Sequence, residues 1–400
     1  MSILLYEFEK FKNIPEKKQR KKLSEDEINV KYESGEQRII TEQGAYKLDL
    51  LDTIFSKEKY NLQPDFQRRI TWDTKKRSKL IESFIMNIPV PPVFLYEENF
   101  STYVVMDGLQ RISAIIDFYN DAYALTGLEE WTELNGMKYS QLPQKIKEGI
   151  DRRQLSAITL LKESTGDIIA ADKMKKIVFE RLNTGGVQLE DQEIRNALYQ
   201  GPFNSCCIEL SENKLFKKLW KLEGTTGKDV DNKHDLDEET NLLAAKNRMV
   251  RRMYNVELVL RYFALRTISS FNGKLSKYLD SYLEHANQYC EKEIYLLKET
   301  FINGIKLVND LFGDKAFCIY RKDKGWTQPQ NMIYDAMMIS MGDERIKRLS
   351  GYKTVDENIE KLQYFYSLNE EYFNGRKQSR KDILNRVDLI TEFLLKDIVR

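Results

Sequence analysis

The chain has 400 residues, of which 42% are hydrophobic, and its 63 basic and 62 acidic side chains leave a net charge of +1. This length and apolar content predict a globular protein of two or three domains, each with its own core. The balanced charge excludes a protein that coats polyanions over its whole surface, while a local basic face stays open.

The sequence also excludes several locations and kinds of site. No apolar run reaches membrane-spanning length, and the N-terminal MSILLYEFEK has acidic residues almost at once and no small-residue cleavage site. The four cysteines, at 206, 207, 290 and 318, have the spacing of neither a zinc site nor a disulfide framework. We therefore expect a cytoplasmic protein without zinc and without a membrane partner.

In chain order, the sequence predicts three regions. Residues 1–40 carry many charges of mixed sign and are expected to form a mobile arm or a surface helix. Residues 41–202 indicate an α+β domain. Its expected elements are a strand and helix in AYKLDLLDTIF, an irregular segment in NLQPDFQRRITWD, a helix in DTKKRSKLIESFIMN capped by Asp73 or Thr74, strands in VPPVFLYEE, TYVVMDG and SAITLL, a helix at about 167–182, and a helix in DQEIRNALY that stops at Gly201-Pro202.

Residues 203–400 have a different character. Strand alternation and glycine-rich turns are scarce, and apolar residues recur at helical spacing. We predict an all-helical domain, with one amphipathic helix marked by Met253, Val256, Leu260 and Phe263 and further helices over 275–311.

The stretch VVMDGLQRISAIIDFYND, residues 104–121, predicts a strand, a tight turn and a helix that starts within two residues of Gln110. Gly108 lies where such a turn needs a residue without Cβ. Arg111 falls in the first helical turn, where exposed N–H groups and the helix dipole favour an anion over a cation. Two interpretations are open: Arg111 binds a phosphate there, or it pairs with a nearby carboxylate.

Polar side chains that amphipathic packing does not explain occur in three segments. They are Asp65, Gln67, Arg68 and Trp72 in PDFQRRITW; Asp107, Gln110 and Arg111 in DGLQR; and Asn183, Thr184 and Arg195 in FERLNTGGVQLEDQEIRNALY. Arginine suits bidentate phosphate contacts, and an aspartate beside a triphosphate holds Mg²⁺ or orients a water. We expect one cleft lined by Gln67, Arg68, Asp107, Arg111 and Asn183, with Asp107 as the Mg²⁺ ligand.

Neither histidine is expected to take part in chemistry. His285 shares a helical stripe with Tyr278, Tyr282 and Tyr289 and is expected to be structural. His234 lies in the acidic loop DVDNKHDLDEET and is expected to be solvated. A nuclease of the His-Asn-His kind needs a histidine base, and neither residue has that context.

Taken together, the aromatic-Gln-Arg…Trp segment at 66–72, DGLQR at 107–111 and FERLNTGG…L…EIRNAL at 179–198 resemble the N-terminal-domain family of GmrSD-type restriction proteins in order and spacing. The resemblance covers roughly residues 40–200. It implies a relative of the ParB and sulfiredoxin fold, here followed by the all-helical domain. It also implies a module of prokaryotic anti-phage defence that binds and hydrolyses nucleotides.

The family motif is usually Asp-Gly-Gln-Gln-Arg, and the resemblance places its phosphate-binding role on Asp107, Gly108, Gln110 and Arg111, with Gln67 and Arg68 in a companion motif. Leu109 replaces the first glutamine of that motif. Hydrolysis is slowed if that glutamine positions the attacking water, and it is unaffected if the glutamine only packs. Family members often carry a C-terminal His-Asn-His-like nuclease, which this chain cannot supply. We therefore expect a helical sensor or docking domain instead, and any nuclease or effector on a separate partner.

Three functions are compatible with these residues. The first is an NTP-binding and NTP-hydrolysing regulator or sensor in a restriction-like defence system. Its catalytic residues would be Gln67, Asp107, Gln110 and Arg111, and its phosphate-binding residues Arg68, Gly108, Asn183, Thr184 and Arg195. The other two functions use the same fold differently.

The second function is a ParB-like nuclease or DNA-binding protein that applies the same cleft to a DNA phosphate. Its further DNA contacts would be Arg248, Arg251, Arg252, Arg261 and Arg266 in RMVRRMYNVELVLRYFALR, unless these arginines form a solvated helix face balanced by nearby acids. The third function is a non-catalytic interaction protein of the same fold.

Overall fold

The computed structural model describes residues 24–33, 40–55, 59–61, 72–161, 177–178, 181, 190–225, 238–268, 274–347, 354–373 and 379–398. The described residues fall into two compact units, one within Lys18–Leu198 and one within Tyr199–Arg400. Among them, no helix is long and apolar enough to cross a membrane.

The first unit mixes helices with one small sheet. Its helices are α1 (Glu25–Glu33), α2 (Leu51–Phe55), α3 (Thr74–Ile85), α4 (Leu109–Tyr119), α5 (Gln144–Asp151) and α6 (Asp191–Leu198). Its strands are β1 (Thr41–Lys47), β2 (Tyr60–Asn61), β3 (Val93–Asn99), β4 (Thr102–Asp107) and β5 (Gln154–Leu160). These elements confirm the predicted strands in this region and the helices over DTKKRSKLIESFIMN and DQEIRNALY. Of the helix predicted at about 167–182, only residues 177, 178 and 181 are described, and they are helical.

The sheet has the order β1-β5-β3-β4-β2 and mixes strand directions. β3 and β4 form an antiparallel hairpin, β5 runs parallel to β3, and β1 closes one edge antiparallel to β5. Helices α2, α3, α4 and α5 contribute to a core with β3, β4 and β5 that includes Phe84, Val93, Val105, Ile112 and Leu155. This unit is therefore α+β as predicted, while its relation to the ParB and sulfiredoxin fold stays a prediction.

Helix α3 is fixed at its start and held near its end by side-chain hydrogen bonds. Asp73 is the N-cap, and its carboxylate accepts a bond of 2.7 Å from the N–H of Lys76. Further along, the buried carboxylate of Glu82 accepts three bonds, of 3.0, 2.9 and 3.0 Å, from the N–H groups of residues 129, 130 and 131. Glu82 thus holds an irregular connection against α3.

The second unit is built almost wholly from helices. They are α7 (Pro202–Ser211), α8 (Lys214–Leu219), α9 (Glu238–Arg251), α10 (Tyr254–Leu265), α11 (Leu275–Ala286), α12 (Glu291–Phe312), α13 (Asn331–Ser340), α14 (Glu344–Lys347), α15 (Val355–Leu368) and α16 (Arg380–Phe393). A two-stranded hairpin of β6 (Tyr320–Arg321) and β7 (Gly325–Trp326) is the one departure from the predicted all-helical domain within the described residues.

The helix predicted around Val256, Leu260 and Phe263 exists as α10, but it is not amphipathic. Every residue from Asn255 to Leu265 except Glu257 is buried. A helix that is apolar almost all round lies inside its domain rather than on the surface. The prediction was wrong because it counted one apolar stripe and not the apolar residues on the other faces.

Candidate functional site

The turn at the end of β4 is shaped by a bulge and a glycine. Phe94 pairs with Asp107 while Leu95 pairs with Val105, so Met106 is an extra residue that shifts the ladder just before Asp107. Gly108 follows with φ of 99°, and α4 begins at the next residue. The structure confirms the predicted strand, turn and helix start.

Gly108 is required by both its backbone angle and its neighbours. A positive φ disfavours residues with a Cβ. A Cβ on Gly108 would also lie 2.4 Å from Cγ1 of Val93 and 3.1 Å from Nη2 of Arg111. The glycine therefore lets β3, the turn and the Arg111 guanidinium approach one another closely.

Arg111 makes its hydrogen bonds through one nitrogen. Nη2 donates to Oδ2 of Asp107 at 2.7 Å and to the carbonyl of Pro92 at 3.2 Å. Nε is buried, and among the described residues neither Nε nor Nη1 has a hydrogen-bond partner. The carboxylate pairing that the sequence left open is present, and the two N–H donors of Nη1 remain for another acceptor.

The surroundings of Arg111 add further donors. Ile112 makes the first intrahelical bond of α4, to the Gly108 carbonyl, so the N–H groups before it point out of the helix start. Arg111 is 14% exposed and Asp107 is 41% exposed, which places the ion pair at the surface end of the turn. Backbone N–H groups beside a partly buried arginine form an arrangement that suits a phosphate.

Gln110 connects this turn to the segment before α3. Its side-chain oxygen accepts a hydrogen bond of 3.3 Å from the N–H of Trp72. Trp72 is half-buried against the core, and Nζ of Lys76 lies 4.9 Å from the centre of its ring. Gln110 therefore holds the residue at the end of the predicted PDFQRRITW segment close to Asp107 and Arg111.

The structure brings together only part of the predicted cleft. Asp107, Gly108, Gln110 and Arg111 occupy one turn, whereas Asp65, Gln67, Arg68, Asn183 and Thr184 lie outside the described residues. Arg195 lies in α6 and is 2% exposed. Nη1 of Arg195 donates to Gln192 at 3.1 Å, and Nη2 lies 3.6 Å from Asp191 one helical turn away. In this structure Arg195 is thus engaged within its own helix, and its phosphate-binding role stays a prediction.

The arginines offered as DNA contacts do not form one exposed face. Arg261 is 5% exposed and paired with Asp335, and Arg266 is 8% exposed, so neither is presented to a duplex. Arg248 is exposed, Arg252 is half-buried, and the side chain of Arg251 lies outside the described residues. The prediction that Arg261 and Arg266 contact DNA was wrong, because the helix that carries them is the buried helix α10 and its end.

Histidine and metal chemistry have little support in the described residues. His285 is exposed and not on the buried tyrosine stripe, with Nδ1 2.8 Å from the Ser281 carbonyl of its own helix. His234 lies outside the described residues. Within the described part of the chain, no group of three or more His, Cys, Asp and Glu side chains is arranged to hold a metal ion.

Asp107 does fit a less demanding role for Mg²⁺. One of its carboxylate oxygens bonds to Arg111, and the side chain is open to solvent. Magnesium often binds through one or two carboxylates together with substrate phosphates and waters. Asp107 therefore suits a magnesium that bridges to a nucleotide, not a metal cage made by protein alone.

Several contributors to the site were not predicted from the sequence. The Pro92 carbonyl and the Met106 bulge depend on how β3 and β4 pair, and nothing in the local sequence marks them. The bond from Trp72 to Gln110 joins residues 38 apart in the chain. Trp72 itself was singled out from the sequence, so the presence of a tryptophan in a polar segment was the one local indication of this contact.

Comparison with known proteins bears on residues 51–200, which match the family model described as GmrSD restriction endonuclease, N-terminal domain. This match supports the resemblance of these residues to the GmrSD N-terminal domain family. It suggests a component of a restriction-like anti-phage system. The match includes β3, β4 and the whole Asp107–Arg111 turn of the GmrSD N-terminal domain, and it ends before α7.

Searches of curated proteins and of solved structures found no match.

Proposed function

We propose that this protein binds a nucleoside triphosphate at the Asp107–Arg111 turn and hydrolyses it, as a regulatory or sensor component of a restriction-like anti-phage system. The observation that carries the proposal is the guanidinium of Arg111. It is held in place by Asp107 and Pro92 through Nη2, yet Nε and Nη1 have no acceptor among the described residues. A charged N–H donor gains most from a charged acceptor, and a phosphate oxygen at Nη1 would supply one.

Each residue of the turn has a distinct part in such a reaction. Arg111 and the N–H groups at the start of α4 stabilise the charge on the phosphoryl oxygens. Gly108, without a Cβ, lets the turn pack closely against Val93 and lets the Arg111 guanidinium lie beside the helix start. Asp107 is placed to hold Mg²⁺ or to orient the attacking water, and a bound Mg²⁺ would neutralise charge on the phosphates.

The reaction itself is an in-line attack of water on the terminal phosphorus. The new bond joins the water oxygen to phosphorus, the bond to the bridging oxygen breaks, and a nucleoside diphosphate and inorganic phosphate leave. Gln67 and Arg68 would act beside the turn, since Gln110 fixes Trp72, which follows them by a few residues. Leu109 is 7% exposed and packs in the core, so a leucine at this position serves packing and leaves water positioning to other groups.

The DNA-directed alternative has less support. It applies the same cleft to a DNA phosphate, and two of the arginines offered as further DNA contacts, Arg261 and Arg266, are buried in the second unit. The non-catalytic alternative is an interaction protein of the same fold, and it predicts no phosphate release.

Phosphate release from each of the four NTPs, measured with and without Mg²⁺ and with and without DNA, tests the proposal. We expect Mg²⁺-dependent release without DNA that is lost in Arg111→Ala. Arg345→Ala is a matched control, since it removes an arginine from an exposed ion pair with Asp343 in the second unit. Binding without release would favour the interaction protein, DNA cleavage would favour the nuclease, and absence of binding to any NTP would refute the proposal.

A further inference from the structure

Within the described residues, strand β1 is an edge of the sheet. It pairs with β5 in an unbroken register from Thr41 opposite Leu160 to Lys47 opposite Gln154, without a bulge. No strand among the described residues lies on its other side, since β1 ends the order of the sheet. Its sequence, TEQGAYK, has no proline. Long flat edges without prolines or bulges are the ones that pair with another chain.

The hydrogen-bond phase of β1 shows which residues face outward. The N–H of Leu161 bonds to the Ile40 carbonyl, and the N–H of Leu48 bonds to the Arg153 carbonyl. Antiparallel ladders alternate, so the even-numbered residues of β1 direct their backbone groups to β5. The odd-numbered residues direct theirs away from the sheet, and all of these are exposed: Thr41, Gln43, Ala45 and Lys47.

We propose that this edge pairs with the same edge of a second copy of the chain, antiparallel, about a two-fold axis through Gly44. In this register each residue whose backbone N–H and C=O point away from the sheet lies opposite another such residue. Thr41 lies opposite the partner's Lys47, and Gln43 lies opposite the partner's Ala45. The ladder therefore continues across the axis with all seven residues paired.

Ladder length favours this register, and side-chain chemistry disfavours a shift of the axis toward Glu42. Glu42 lies opposite the partner's Tyr46, so no like charges face each other. A shift of the axis to Glu42 would place two glutamates together and shorten the ladder. Gly44 meets its own copy at the axis, where a Cβ would have nothing within 4 Å in the single chain. The strand is thus self-complementary, which is what a two-fold interface requires.

The first test is the mass of the full chain in solution, by sedimentation or light scattering. We expect twice the chain mass of 47.2 kDa for the unmodified protein. Ala45→Pro removes an outward N–H and leaves the bonds to β5 in place, because proline is tolerated on the open side of an edge. We expect this variant to be monomeric with an unchanged thermal midpoint. A monomeric unmodified protein, or a dimer that Ala45→Pro does not affect, would overturn the proposal.

The second test does not depend on disrupting the strand. Across the axis, residue 44 belongs to a non-hydrogen-bonded pair, whose Cα atoms lie about 4.5 Å apart, within the range for a disulfide. In a Cys290→Ser background, which removes the one exposed cysteine of the described residues, Gly44→Cys should form a disulfide-linked dimer on mild oxidation. The matched control is Lys47→Cys.

In the proposed register the two copies of residue 47 are offset by six residues, or about 20 Å, so Lys47→Cys should stay unlinked. Linkage of the Lys47→Cys variant, or no linkage of the Gly44→Cys variant, would rule out this register.

Discussion

At the level of single residues, Arg111 divides its guanidinium between two tasks. Nη2 donates to Asp107 and to the Pro92 carbonyl, while Nη1 has no acceptor among the described residues and is left for a ligand. A structural ion pair and a ligand-binding arginine are therefore not exclusive here. The Asp107 carboxylate orients the guanidinium, and Nη1 can still donate to a phosphate oxygen.

Replacement of Arg111 should separate these tasks. Arg111→Ala should weaken nucleotide affinity by roughly 10- to 150-fold, because charge-assisted hydrogen bonds are worth about 1.5–3 kcal/mol. Arg111→Lys should restore only part of this, since a point charge cannot reproduce the planar fork. Asp107→Asn should lower turnover more than affinity. Nucleotide titration and thermal midpoint, measured on each variant, check this, and a large loss of stability with unchanged affinity would make Arg111 purely structural.

Gly108 offers a different test at the same turn. Gly108→Ala should lower the free energy of unfolding by about 2–4 kcal/mol. Alanine is strained at a positive φ, and its methyl group would also clash with Val93. Gly136→Ala is a useful control. It has a similar φ of 87° but nothing within 4 Å of the new Cβ, so only the backbone cost remains. Equal denaturant midpoints for the two variants would show that the Val93 contact does not matter.

At the level of elements, α3 and α4 form the frame of the site. Arg77 of α3 pairs with Asp117 of α4, and its guanidinium lies 4.3 Å from the centre of the Tyr123 ring. Glu82 ties the connection at residues 129–131 to the same helix. Both helices were predicted from apolar spacing and, for α3, from the Asp73 cap.

The limits of that prediction follow from the range of the interactions involved. Helix periodicity and capping are local, so α3 and α4 were found with correct starts. The Met106 bulge, the Pro92 contact and the Trp72–Gln110 bond join separate strands and helices, and no short stretch of sequence contains both partners. α10 was misjudged for a related reason, since burial on all sides depends on neighbours elsewhere in the chain.

The three hydrogen bonds to Glu82 are expected to contribute measurably to the free energy of unfolding. Glu82→Ala should reduce the free energy of unfolding by about 3 kcal/mol, because three buried N–H groups lose a charged acceptor. Glu82→Gln keeps an acceptor oxygen and should cost less. Glu129→Gln, which affects only an exposed ion pair with Lys79, should change the thermal midpoint little. Similar midpoints for Glu82→Ala and Glu129→Gln would show that the connection is not held by Glu82.

At the level of the whole molecule, tyrosines with raised pKa values make the stability of the fold depend on pH in the alkaline range. Burial, together with a hydrogen bond to Asp151, raises the pKa of Tyr139 to about 12. Burial likewise raises the pKa of Tyr254, in the second unit, to about 12. Unfolded tyrosine titrates near pH 10. Both units therefore contain phenols that favour the folded state only while they stay protonated.

The pH dependence follows from the sign of these shifts. Because the pKa is higher in the folded state, the stabilisation is complete below about pH 10 and is lost as pH rises through about 12. Thermal midpoints should therefore fall steadily over this window while tyrosinate absorbance appears. Tyr139→Phe should flatten the decline. A midpoint that is constant up to pH 12 would contradict this assignment.

The ion pair inside the second unit limits how its helices can be arranged. Arg261 of the buried helix α10 bonds to Asp335 of α13 through Nε at 3.1 Å and through Nη2. An apolar surface on all sides would let α10 rotate about its axis at small cost, since one leucine replaces another. A single buried charge removes that freedom, because any other rotation would leave Arg261 without its carboxylate. We therefore expect the Arg261–Asp335 pair to favour the observed rotation of α10 over other rotations that would keep its apolar contacts.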